Sequence, residues 1–314
     1  MRTENKDNPV VAIVCADLHL SLNPPIARSK EPGWFEAMAR SLCELEELAE
    51  EHHAPIFCAG DIFDHWRSPP ELINFAVNNL PEMWAIPGQH DLPLHDPGSI
   101  HKSAYWTLVE FGKIHHITTP RLLTPLDGSG TGTAVRLYGF GWSQPIVPPE
   151  AADKILRVAL VHAYTWIDSA CFPGAPEGAK PSAKKYQGFD AVVIGDNHKS
   201  WEQVYKNTNV FNCGGFYRRR VDEVSHRPRV GLLRADGSIE SHYLDTSQDV
   251  LVVLGGSGGE RGQDPDFQAF LSELNGFQAA DLDYKEALRR AMASPKVSPR
   301  VKQCLAAALE VASE

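Results

Sequence analysis

The chain has 314 residues, of which 43% are hydrophobic and 22% charged, and a formal net charge of −10. That is enough material for a full core in one large domain, or one domain plus an appendage, with the make-up of a soluble globular protein. No apolar run approaches the roughly 18 residues that cross a bilayer, and the acidic balance argues against a strong unaided grip on nucleic acid, whose phosphates need clustered Lys and Arg.

Met1 to Val10 is polar and lacks the apolar core of a signal peptide, so a cytoplasmic protein without membrane contact is expected. The six cysteines (Cys15, Cys43, Cys58, Cys171, Cys213, Cys304) show no C-x-x-C spacing and read as reduced core residues. Val10 to Cys15 is a short apolar run with the texture of a buried strand, and Pro55 to Cys58 and Met83 to Ile86 repeat it. Between the first two, Pro32 to His53 carries Trp34, Phe35, Met38, Leu42, Leu45, Leu48 and Ala49 at three- and four-residue steps, which predicts a helix. A second helix is expected from Ser68-Pro69-Pro70-Glu71 to about Leu80, with Ser68 as cap, Pro69 at the first position and Glu71 completing a capping box. A third runs from about Ile100 to Phe111 and stops near Gly112. Strand, helix, strand, helix, strand implies right-handed crossovers and a parallel sheet.

Downstream the texture changes. Ala134 to Phe140, Arg157 to His162, Ala191 to Ile194, Val210 to Cys213, Val230 to Arg234 and Ile239 to Leu244 read as strands with few helices between the last four. A second, more antiparallel sheet packed on the first is expected. Pro120 to Gly132 and Ser169 to Lys185 read as loops, the latter either a mobile loop near the site or merely a long connection. Leu254 to Asp264 has linker composition, and Asp266 to Leu274, Tyr284 to Ala293 and Val297 to Val311 look helical. The expected organisation is a domain over 1–250 and a helical extension over 265–314 that docks on it or on a partner.

The chemistry sits just past the apolar runs, in Asp17-Leu18-His19, Gly60-Asp61-Ile62-Phe63-Asp64 and Gly88-Gln89-His90-Asp91. His162 follows a fourth run and Asp196-Asn197-His198 a fifth. In open α/β sheets the carboxyl ends of the strands are where ligands bind, and carboxylate, amide and imidazole together suit hard and borderline divalent metals. Residues i and i+2 leave a strand on one face, so Asp17 and His19 can both reach one cation, and Asp196 and His198 repeat that geometry with one carboxylate and one imidazole. One histidine after a strand is more often structural than a ligand; five strand ends all offering Asp, His or an amide is a different case. Residues 216–234 hold Arg218, Arg219, Arg220, Arg227, Arg229 and Arg234 against Asp222 and Glu223, which reads either as a solvated hairpin or as a patch that steers a phosphate backbone. Core packing is the default for Trp66, Trp142 and Trp166; Trp166, shortly after His162, is the best candidate to stack on a base.

These motifs resemble the calcineurin-like metallophosphoesterase superfamily, with its D-x-H, G-D-x-x-D, G-N-H-[DE], lone H and G-H-x-H, over about residues 10–245. The resemblance implies a four-layer α/β/β/α sandwich and phosphoester hydrolysis at a dinuclear centre. Asp17, His19 and His198 would hold one metal, Asp61 would bridge, and Gln89, His162 and Asp196 would hold the second. A bridging hydroxide is the implied nucleophile. His90 would sit beside the scissile phosphate, Asp91 would orient His90, and Asp64 would support the site from behind. Asp17-Leu18-His19-Leu20, the Gly60 motif and Phe211 to Glu223 look most like the double-strand-break repair nuclease (SbcD-type) branch, including small forms carried by phages.

Two positions depart from the pattern: Gln89 stands for Asn, and Asp196 for the first His of G-H-x-H. Both fall on the second metal position, where two carboxylates and an amide beside one imidazole favour Mn²⁺ or Mg²⁺ over Zn²⁺. A retuned site is favoured over a decayed one, because His90, Asp91, His162 and His198 are all present. The expected function is therefore metal-dependent phosphodiester hydrolysis with DNA as substrate. An SMC-like ATPase or a second copy of the chain would complete the DNA footprint. The alternatives are a phosphodiesterase or phosphatase for a small molecule such as a cyclic nucleotide, and a scaffold of the same fold without catalysis.

Overall fold

In the computed structural model the described residues are 8–124, 133–149, 155–167, 185–220 and 223–252. They belong to one unit that runs to Val252. The expected linker and C-terminal helices, most of the loops over Pro120 to Gly132 and Ser169 to Lys185, Asp222, Cys171 and Cys304 lie outside the described residues.

Two six-stranded sheets stack face to face. The first is built from β1 (Val10–Cys15), β2 (Ile56–Cys58), β3 (Met83–Ala85) and β4 (Ile114–His116), all parallel. β1 is buried along nearly its whole length, which is why it reads as an unbroken apolar run. The crossovers are α1 (Trp34–Glu51), α2 (Pro70–Asn79) and α3 (Ala104–Glu110). Trp34, Met38, Leu42, Leu45 and Leu48 form the buried stripe of α1, packed with Ile13, Ile56 and Met83 on the outer face of this sheet. Full burial of each such side chain is worth roughly 1.5–3 kcal/mol.

Local details depart from the sequence reading. Pro69 is the N-cap of α2 and Pro70 its first residue, while Ser68 donates its hydroxyl to the His65 carbonyl instead of capping. The expected third helix is a 3-10 stretch, Pro97–Lys102, followed by α3, whose true cap is Ser103, accepting from Trp106 N–H.

The second sheet contains β5 (Arg121–Leu123), β6 (Val135–Phe140), β7 (Leu156–His162), β8 (Ala191–Gly195), β9 (Trp201–Tyr205) and β10 (Thr208–Asn212), in the order β5-β6-β7-β8-β10-β9. It is parallel at its centre and antiparallel only at its two edge pairs, a correction to the more antiparallel sheet expected. The reason is connectivity: the segment from β7 to β8 is long enough for the crossover that parallel pairing requires. β11 (Arg229–Arg234) and β12 (Ile239–Tyr243) return to the first sheet, where β11 pairs antiparallel with β1. Val14, Phe57, Ile86, Leu137, Val158, Leu160, Val193 and Phe211 fill the space between the sheets. Tyr138, Phe140, Val161, Tyr186, Phe189 and Ile194 form a third cluster on the outer side of the second sheet. All three α-helices among the described residues lie on the first sheet. Cys15, Cys58 and Cys213 are buried free thiols, while Cys43 is exposed on α1.

Candidate metal centre

The parallel strands of both sheets end on the same rim, and the predicted residues leave from those ends. Beyond β1 and β2 the chains continue side by side: Asp17 N–H donates to Gly60 O at 3.0 Å, His19 N–H to Asp61 O at 2.9 Å and Leu20 N–H to Ile62 O at 2.8 Å. This pairing holds the first two motifs against each other. The i, i+2 reading of Asp17 and His19 needs a physical correction, however. Neither is in extended backbone; Asp17 (φ +55°), His19 (φ +43°), Asp61 (φ +55°) and Asp196 (φ +85°) all adopt left-handed conformations. Such conformations cost of order 1 kcal/mol or more each in non-glycine residues and cluster at functional sites. Here they turn successive side chains inward.

Three groups result, each with ligand atoms within 4.8 Å of one another: Asp17, His19 and His198; Asp17, Asp61 and His162; and His19, Asp64 and His90. His19 Nε2 lies 3.0 Å from His198 Nε2. Asp61 is the centre. Its Oδ1 accepts from His90 N–H at 2.9 Å, and its Oδ2 lies 3.5 Å from His19 Nε2 and 3.4 Å from His162 Nε2. His162 Nδ1 sits 2.6 Å from the Ala59 carbonyl, to which it donates, so Nε2 is the nitrogen turned to the site. Gln89 Nε2 donates to Asp196 Oδ1 at 2.7 Å, and Asp196 N–H donates to the Asp17 carboxylate at 3.0 and 3.1 Å. Asp196 is thus tied to the ligand cluster through Gln89 and Asp17.

Backbone clearance makes this possible. A Cβ on Gly88 would lie 2.0 Å from Asp61 Oδ1, and one on Gly195 would lie 2.5 Å from Ala59 O and 2.8 Å from His162 Nδ1. Both glycines immediately precede a motif residue, a signal visible in the sequence that ligand spelling alone overlooks.

Electrostatics follow from burial and mutual contact. Burial pushes the Asp17 carboxyl up to about 6, partly offset by His198 and His162, and pushes the His19 imidazole down to about 3. Burial would also raise Asp61, but the facing charges of His162, His19 and His90 outweigh it and hold that carboxyl well below the usual range. The reciprocal field raises His162 against its own burial. Asp61 Oδ2, His162 Nε2 and Gln89 Oε1 are buried with no hydrogen-bond partner. Buried polar atoms are seldom left unpaired. Carboxylate and amide oxygens and imidazole nitrogens that converge here without hydrogen bonds fit divalent cations by position and by donor type.

His90 is at the rim, its side chain 40% exposed. Its Nδ1 is 2.6 Å from the backbone carbonyl of Asp64. That carbonyl, not Asp91, orients the ring. Asp91 is fully buried and accepts from the backbone N–H groups of Gly88, Ile62 and Phe63 at 3.0–3.2 Å, so it pins the second motif to the third. Asp64 faces His19 Nδ1 at 3.5 Å and pairs with the Arg219 guanidinium.

The arginine-rich segment is mostly committed within the fold. Arg218 donates to Asp249 at 2.7 Å, Arg229 is buried over the Phe211 ring and bonds Ser241 and Asn212, and Arg234 pairs with Glu240. Arg227 lies over Tyr243. Arg219 reaches the site, Arg220 is exposed, and Trp166 is half-buried beyond β7. An open six-arginine patch is therefore not what the fold presents: Asp249, Asp64 and Glu202, all distant in sequence, take Arg218, Arg219 and Arg229, and Glu240 takes Arg234. Sequence reasoning read Glu223 only as a charge among the arginines and as the end of the Phe211 segment, whereas it lies against His198. No described helix is long and apolar enough to cross a membrane.

Residues 11–200, well over half of the chain, match the model of the calcineurin-like phosphoesterase family. No curated protein matches the chain. Among solved structures, it is similar to a calcineurin-like phosphoesterase from Bacillus subtilis (13% identity, 77% of this chain and 92% of that one, TM-score 0.44). It is also similar to a 5′-nucleotidase precursor from Thermus thermophilus (13% identity, 78% of this chain, TM-score 0.45), of which it spans 56%. An archaeal phosphodiesterase aligns at 11% identity over 74% of this chain and 99% of that one, with a TM-score of 0.37.

Proposed function

We propose that the chain, which belongs to the calcineurin-like phosphoesterase family, is a metal-dependent phosphodiesterase that acts on DNA. The observation that carries the metal-dependent part of the reading is Asp61 Oδ2, buried, making no hydrogen bond and facing an imidazole nitrogen on either side. Asp17, His19 and His198 would hold one divalent cation, Asp61 would be shared, and His162, Gln89 and Asp196 would hold the other. Such cations supply Lewis acidity at the phosphoryl oxygens and a water acidified towards neutrality. The second position, with Asp61, Asp196 and an amide, favours Mn²⁺ or Mg²⁺.

The chain's own residues do the rest. His90 donates its Nδ1–H to the Asp64 carbonyl, which turns Nε2 to the site; as an imidazolium it would carry a second proton on Nε2 to give to the departing oxygen, ending as the neutral Nδ1–H ring. Asp91 holds the loop that carries His90 by three backbone hydrogen bonds. Arg219, whose guanidinium pairs with Asp64 at the site, would meet a phosphate. DNA as substrate is supported by the similarity of the motifs to the repair-nuclease branch, with an SMC-like ATPase or a second copy supplying further phosphate contacts. A small phosphodiester is the second reading, favoured by the internal pairing of Arg218, Arg229 and Arg234.

Hydrolysis of linear double-stranded DNA, bis-p-nitrophenyl phosphate and cyclic nucleotides with Mn²⁺ separates the two. DNA cleavage that His90→Ala lowers roughly 10²–10⁴-fold, with metal content unchanged, is expected. Turnover confined to the small esters would select the second reading. Absence of turnover and of bound Mn²⁺ would leave a scaffold.

A further inference from the structure

Glu223 is buried, at 8% exposure, at the end of the Phe211 to Glu223 segment and outside the ligand motifs. Its Oε2 accepts from Arg219 N–H at 2.8 Å and Arg220 N–H at 3.0 Å. Its Oε1 lies 3.6 Å from His198 Nδ1. From Arg219 the guanidinium reaches Asp64, whose Oδ1 faces His19 Nδ1 at 3.5 Å, and His19 Nε2 meets His198 Nε2 at 3.0 Å. His198, Glu223, Arg219, Asp64 and His19 therefore close a ring of polar contacts around one side of the centre.

We propose that Glu223 is a positioning residue: it fixes the His198 tautomer that leaves Nε2 free to ligate, and it anchors the backbone of the phosphate-facing Arg219. A carboxylate only accepts, so Glu223 favours the proton on the His198 nitrogen that faces it, and the lone pair that remains on Nε2 takes the proton of the 3.0 Å contact from His19 Nε2 in the metal-free protein. Because the same carboxylate takes the two arginine N–H groups, the metal ligand and the substrate arginine share one support. This inference rests on the proposed metal-dependent function, but it makes claims of its own about the metal-free protein.

The test uses the full chain with Glu223→Gln, Glu223→Asp, Glu223→Ala and wild type. An amide turned to His198 presents N–H, which forces Nδ1 to accept and places the proton on Nε2. Nitrogen-15 NMR of the metal-free protein at alkaline pH reads this directly. Wild type and Glu223→Asp are expected in the Nδ1–H form and Glu223→Gln in the Nε2–H form. Mn²⁺ titration by calorimetry is expected to weaken roughly 10–100-fold in Glu223→Gln and to be largely restored in Glu223→Asp. The amide oxygen of Glu223→Gln still accepts from Arg219 N–H and Arg220 N–H, so KM for a small phosphodiester at saturating metal is expected to stay near wild type there and to rise only in Glu223→Ala, which removes that acceptor.

An unchanged tautomer, or wild-type Mn²⁺ affinity in Glu223→Gln, overturns the proposal. Should Glu223→Gln fail to fold, Nε2–H in the metal-free wild type overturns it alone, and Nδ1–H there supports it. A wild type with the expected tautomer and Mn²⁺ uptake but no hydrolysis of any phosphodiester leaves the role of Glu223 standing and removes the catalytic reading.

Discussion

Gly88→Ala tests the close packing of the centre with a single methyl group. The Gly88 backbone (φ −92°, ψ −179°) is open to any residue, so alanine brings no conformational penalty. The new Cβ would stand 2.0 Å from Asp61 Oδ1, 2.6 Å from Asp61 Cγ and 2.6 Å from His162 Cε1. Real Cβ contacts do not fall below 3.0 Å, so Asp61 has to move by at least about 1 Å. It cannot do so alone, because Oδ1 holds His90 N–H and Oδ2 faces two imidazoles. Misplacement of a reacting group by ~1 Å costs on the order of 10²-fold in rate, or about 2.7 kcal/mol of transition-state stabilisation. The expected result is a drop in kcat/KM on bis-p-nitrophenyl phosphate of about that size, with weaker Mn²⁺ binding by calorimetry. Wild-type turnover with two tightly held Mn²⁺ would refute the idea that Asp61 is wedged against the Gly88 backbone.

Three further outcomes follow from the geometry. Asp91→Asn turns one carboxylate oxygen into a donor facing buried backbone N–H groups, so metal-free stability measured in denaturant should fall by about 1–3 kcal/mol; an unchanged midpoint would contradict the pinning role. Mn²⁺ affinity should rise with pH, because Asp17, held up to about 6 by burial, must lose its proton to bind, and His162, raised by Asp61, must do so at higher pH still. Affinity independent of pH from acid to neutral would exclude both as ligands. Asp196→His, which replaces a carboxylate with an imidazole, should shift metal competition from Mn²⁺ towards Zn²⁺, and an unaltered preference would show that Asp196 does not see the ion.

The strands that carry ligands were legible because burial on both faces leaves an apolar run that stops where function starts, as at Cys15 and Cys58. The ligand residues were legible from their types at those stops. How they converge was not, since left-handed turns at Asp17, His19, Asp61 and Asp196 are set by pairing between loops from different strands. Strand order was likewise hidden. Nothing local in Arg229–Arg234 says that it pairs with β1 and not with its sequence neighbour β10. The arginine cluster misled for the same reason: Asp249, which takes Arg218, lies 31 residues along the chain. Asp91 was read as a partner of His90 by adjacency, whereas a buried carboxylate is claimed by the nearest unpaired N–H groups.

The pairing of Val10 with Arg234 bears on how the molecule is made. On a ribosome the first strand emerges long before the one that closes its open side, so the nascent chain must keep that margin exposed until β11 follows. The last ligand, His198, is synthesised before that margin is sealed. Slow, non-local closure of this kind invites chaperone binding during synthesis, and a fragment ending short of β11 should stick to itself before it ever captures a metal.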